Sequence, residues 1–133
     1  MSTRDSVLAA FQTTLSSLAS GRVYRSRLEQ LPAIPAIVIT PDAEEAEEKL
    51  LGVMDAELTV TVAIYAKGDT PDNAADALLA SVHSALCADL SLGLGSNVQI
   101  LPRRRVGWEF DQYDEARLAV RYTVFYRTTF GGM

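Results

Sequence analysis

Residues 55–66 alternate in character. Leu58, Val60, Val62 and Ile64 point one way, and Thr59, Thr61, Ala63 and Tyr65 point the other. A period of two is the spacing of a strand with one face in a core. Residues 116–128 repeat the pattern. There Leu118, Val120, Tyr122, Val124 and Tyr126 oppose Arg117, Ala119, Arg121, Thr123, Phe125 and Arg127, with only Phe125 breaking the polar rule. Two long strands with one apolar side each require a layer that covers that side.

The covering layer is legible in two helical patterns. Over 3–19, Val7, Leu8, Phe11, Leu15 and Leu18 recur at spacings of three and four, with Ser2 or Thr3 as a cap and Ser20-Gly21 as a stop. Over 72–90, Ala75, Leu78, Leu79, Val82, Leu86 and Leu90 form a second stripe. It starts at Asp69 or Thr70, with Pro71 in the first turn. Shorter strands are expected at 22–28, 36–40 and 98–101, Pro32 and Pro35 keep their stretch extended, and a polar hairpin is expected over 103–115. The order predicts one α+β domain over 1–133. Its sheet is mostly antiparallel, with two main helices packed on one face.

Composition narrows the function. Apolar residues make up 48% of the chain, which argues for a packed core over disorder. No apolar run approaches the roughly 18 residues that span a bilayer, so no membrane role is expected. The start MSTRDSVLAAF has no long apolar stretch, so no secretory signal is predicted and the cytosol is the expected site of synthesis. Cys87 and His83 are the only residues of their kinds, which excludes a thiolate metal cluster within one chain. They lie at i and i+4, but the sequence nearby supplies no orienting third group. Cys87 is expected to be a buried structural thiol. The chain lacks a phosphate loop, an HExxH pair, a GxSxG elbow and a paired CxxC; GLGS at 93–96 reads as a turn. No enzyme activity, catalytic residue, metal or cofactor is expected.

Two charged segments stand out. PDAEEAEEKL at 41–50 holds Asp42, Glu44, Glu45, Glu47 and Glu48. It lacks the glycine and ligand periodicity of a calcium loop, and reads as a solvated connection between strands. Glu44–Glu48 and Glu45–Lys49 have the spacing of a short helical turn. Arg103, Arg104 and Arg105, with Trp108 behind them, form the basic cluster. Glu109, Asp111, Asp114 and Glu115 follow at once. That cluster reads as a self-balancing hairpin, a subunit contact, or a nucleic-acid surface. Arg117, Arg121 and Arg127 share one side of the last strand, either solvated or paired with carboxylates of a neighbouring subunit.

The whole pattern resembles the tail terminator proteins of long-tailed phages, the family of the lambda minor tail protein U. The segments that carry the resemblance are RDSVLAAFQTTLSSL, LPAIPAIVIT, the acidic insertion, AELTVTVAIYAKGDTPDNAADAL and LAVRYTVFYRT. It covers nearly the full length, and rests on order and spacing more than on any single motif. The resemblance implies a non-enzymatic virion protein of a phage or prophage. It implies a self-assembled ring, typically a hexamer, that caps the tail tube, stops tube polymerisation and offers the head-joining surface. Its implied partners are the major tail tube protein and a head-completion or connector protein. DNA passes through without specific binding. Its implied location is the virion tail, with host cytoplasm during assembly. Head–tail connector and tail-completion proteins share this size and pattern, and are the alternative.

Six copies of a −5 chain carry roughly −30 (6 × −5), which opposes a tight grip on DNA. A closed ring uses two different patches per subunit. Arg103, Arg104, Arg105, Trp108, Arg117 and Arg121 are the candidate subunit or tube interface. Asp42, Glu44, Glu45, Glu47 and Glu48 form a candidate mobile arm that lines the lumen or meets the neighbour's arginines. On that reading, neutralising all five acids leaves the monomer fold nearly intact.

Overall fold

The structure, a computed structural model, describes residues 2–25, 35–68, 70–112 and 115–129. Within these ranges the side chains at 20, 102–104 and 109–112 lie outside the described part. Helix α1 spans Thr3–Thr14, and Ser2 caps it by accepting the Asp5 N–H at 3.1 Å. A short 3-10 turn, Ala19–Gly21, leads into strand β1, Val23–Arg25. Strands β2, Ala36–Leu50, and β3, Val53–Lys67, form one long hairpin. Helix α2 spans Pro71–Cys87, and strands β4, Val98–Gln112, and β5, Glu115–Thr129, close the chain.

The five strands lie in the order β1-β2-β3-β5-β4. Among the described residues only the β1–β2 pair is parallel. The alternating patterns become the sheet's two faces. Ala56, Leu58, Val60, Val62 and Ile64 of β3 join Leu118, Val120, Tyr122, Val124 and Tyr126 of β5 in one buried core. Val7, Leu8, Phe11 and Leu15 from the α1 segment and Ala75, Leu79, Val82 and Leu86 of α2 cover them. The α+β architecture with both helices on one face is therefore as the periodicities predict. Among the described residues no helix covers the opposite face of the sheet.

The ends of elements differ from the sequence reading. Both helices are shorter than their apolar stripes suggest. Leu15 caps α1, and Leu90 lies beyond α2 and is exposed. Cys87 is exposed rather than buried. It sits one residue past Leu86, about 100° around the helix from the buried stripe. Thr70 caps α2 without a side-chain hydrogen bond, and Asp69 lies outside the described residues. The strand expected at 22–28 is described only at Val23–Arg25, because 26–34, with Pro32, lie outside.

The largest correction concerns 41–52. These residues form no separate insertion or arm: PDAEEAEEKL is the second half of β2, paired with β3 up to Leu50↔Val53. Leu51 and Gly52 make the turn, and Gly52 takes φ +79°, where a residue with a Cβ is strained. Pro41 lacks an N–H, and the register shifts between Pro41 and Ala43. The polar hairpin expected over 103–115 is present as β4 paired antiparallel with β5, from Val98↔Tyr126 to Gln112↔Glu115, and the short strand expected at 98–101 extends to Gln112.

Candidate functional site

The described residues of the acidic and arginine segments lie on the long β2–β3 and β4–β5 hairpins. The bulge at Pro41 decides which way the acids face. Beyond it Glu44 stands opposite Leu58, on the helix-covered side, while Glu45 stands opposite Glu57 and Glu47 opposite Asp55, on the open side. Among the described residues β1 meets β2 only at Ile37–Ile39, so the acidic half of β2 is a strand edge. Charges on such an edge resist unwanted pairing.

Glu44 is not part of an arm. Its carboxylate accepts hydrogen bonds from Arg4 of α1, at 2.6 and 3.1 Å, and from the Tyr126 hydroxyl of β5. Burial pushes the Glu44 carboxyl up, but the bonds from Arg4 and Tyr126 outweigh it and hold the group below its ordinary 4.5. Burial, then the Glu44 contact, pushes the Tyr126 phenol up to about 12.

The signs give two pH limits. The depressed Glu44 pKa contributes stability that is present above 4.5 and lost as pH falls through the folded value. The raised Tyr126 pKa contributes stability that is present below 10.0 and lost as pH rises towards 12. Phenolate absorbance should therefore show one tyrosine titrating well above the rest. Tyr126→Phe should remove that step and flatten the alkaline loss of stability.

The open face carries two charged ends. At the hairpin end, Glu45, Glu47, Asp55 and Glu57 surround Phe125 in an open groove of about 670 Å³. Arg127 grips Asp55 with two bonds, at 2.6 and 3.0 Å, and holds its carboxyl below the usual range. Lys49 reaches Glu47 at 3.2 Å. At the other end, Arg105, Trp108, Arg117 and Arg121 line a groove of about 210 Å³ with Gly107 and Ala119. Arg117 donates to the Tyr65 hydroxyl at 3.2 Å, and Asp42 approaches Arg121 at 3.3 Å.

Four of the six interface candidates thus share one groove. The backbones of Arg103 and Arg104 belong to β4, and their side chains lie outside the described part. Of the acids, Glu45 and Glu47 line the acidic groove, Asp42 turns to Arg121, Glu44 turns inward, and Glu48 is exposed opposite Met54. Sequence reasoning missed Asp55, Glu57 and Phe125 as groove residues. Their signal was present: all three occupy the polar phase of alternating strands.

Cys87 Sγ lies 3.4 Å from His83 Nε2, and His83 Nδ1 lies 3.4 Å from the Tyr122 hydroxyl. The i, i+4 spacing does bring thiol and imidazole together. The third member is a phenol, whereas activated nucleophiles lean on a carboxylate or amide there. Among the described residues no group of three or more His, Cys, Asp or Glu is placed to hold a metal ion. No described helix is long and apolar enough to cross a membrane.

No protein-family profile matches the chain. No curated protein matches it either. Among solved structures, it is similar to a chain in the virion of a native gene transfer agent particle. That match has a TM-score of 0.64 and 18% sequence identity, and covers 92% of this chain and 95% of the other. At that identity the likeness establishes a shared fold.

Proposed function

We propose that this chain is a structural protein of a phage-like virion, acting by assembly and not by catalysis. More narrowly, it is a tail terminator: a ring, hexameric in the closest reading of the resemblance, that caps the tail tube and presents the head-joining surface. The observation that carries the virion reading is the fold shared almost end to end with a chain of a gene transfer agent virion. The order of sequence segments carries the terminator reading. The geometry supports assembly, because one sheet face presents two unlike charged grooves and, among the described residues, no helix. The chain's net charge of −5 opposes a tight hold on DNA as it passes.

Deleting the gene from the particle that encodes it, followed by electron microscopy of the tails, tests this function. Tubes of uncontrolled length are the expected result. Tails of normal length that lack only heads assign the chain to a head–tail connector instead. Intact, infective particles overturn both.

A further inference from the structure

We infer that the acidic end of the open sheet face on one copy of this chain seats against the arginine end of that face on a second copy. The two ends carry opposite charge on one open face. Glu45 stands directly opposite Glu57, and Arg105 directly opposite Arg121. Like charges facing each other across a ladder destabilise a sheet. A second copy that brings one set onto the other places opposite charges face to face in a single contact.

The contact cannot form within one chain. Glu57 and Thr61, the residue opposite Arg121, are four positions apart on β3 (61 − 57), about 14 Å at ~3.4 Å per residue. Glu47, opposite Asp55, is further away, at about 20 Å (61 − 55 = 6 positions). Asp42 does reach Arg121, which shows that a β2 carboxylate is an acceptable partner for that guanidinium. The acidic end also offers apolar surface: Leu50 and Leu51 are 70% and 96% exposed at the hairpin tip.

The inference rests on the reading that the chain assembles with itself, and the test separates the two. The full-length protein is examined by sedimentation at low and high salt, alongside Glu45→Arg, Arg105→Glu and the variant carrying both changes. Each single change should weaken self-association by about tenfold or more, and the double change should restore most of it. High salt should weaken the wild type. Each single change also turns a like-charged cross-strand pair into an opposite-charged one. The melting temperature should therefore hold or rise while association falls, which excludes misfolding as the cause.

Wild-type association that both single changes leave untouched overturns the contact and leaves the ring standing. So does a double variant as weak as the single ones. A closed dimer with full rescue keeps the contact and removes the ring. A chain that stays monomeric at every concentration and salt removes both. If Arg105→Glu lowers affinity for duplex DNA and leaves association unchanged, the arginine end belongs to phosphate and the contact is overturned.

Discussion

Glu44→Ala should destabilise the monomer by about 1–3 kcal/mol, the range for leaving buried polar groups without their partner. The Tyr126 side chain is fully buried, and its hydroxyl points to the Glu44 carboxylate. Without that acceptor the hydroxyl has no exchange with water to fall back on. Arg4 loses an ion pair as well, but its side chain is 37% exposed, so solvent recovers most of that term. Thermal and urea unfolding at neutral pH measure the loss, and Tm should drop by roughly 4 °C per kcal/mol for a chain of this size. The matched control neutralises Asp42, Glu45, Glu47 and Glu48 and keeps Glu44. Surface charges of this kind are usually worth less than about 0.5 kcal/mol each, so the control should melt close to the wild type. If the control falls as far as Glu44→Ala, the acidic strand acts as a unit and the special role of Glu44 is wrong. The difference between Glu44→Gln and wild type should also shrink as pH falls below 4.5, because the wild-type carboxylate is then being lost.

That contrast marks where sequence reading stopped. The two long alternations and the two helical stripes determined which residues enter the core, because burial against one layer leaves a period of two or 3.6 in the sequence. The α+β fold followed from those alone. The acidic half of β2 has no such period. Its residues stand on a strand edge near the open face, where few core contacts constrain residue type, so charge and alanine read as loop. Pairing with β3 nevertheless keeps it extended, since Thr59, Glu57 and Asp55 supply ladder partners at Ala43, Glu45 and Glu47. Tertiary pairing thus overrode local propensity.

The same physics explains what was legible of the site. Arg117 and Arg121 alternate with the buried residues of β5, so their shared face could be read from spacing. That Arg105 joins them depends on β4 lying beside β5, which is a long-range fact. Glu44 was misassigned because the shift at Pro41 turns its side chain inward relative to its neighbours. A one-residue slip exchanges the faces of a strand, and no local pattern announces it.

Phe11→Ala is expected to have the larger effect, about 3–5 kcal/mol, as for a fully buried aromatic cut back to a methyl. Phe11 has no exposed surface, and its ring lies 6.3 Å from that of Tyr122, tilted by 50°. Set against a typical domain stability of about 5–15 kcal/mol, the loss approaches the whole margin. Phe11→Leu gives a milder step, below about 1.5–2 kcal/mol if the neighbours repack. The reason to make these changes is coupling. Phe11 and Arg4 are on the same helix, so undocking α1 should also withdraw Arg4 from Glu44. Phe11→Leu combined with Glu44→Ala should then cost less than the sum of the two, by about 0.5 kcal/mol or more. Hydrogen exchange should show the α1 amides losing protection in both single variants. Strict additivity would mean that Arg4 holds Glu44 whether or not the helix is docked. In that case the ion pair merely follows the fold, and the buried hydroxyl of Tyr126 alone accounts for what Glu44 contributes.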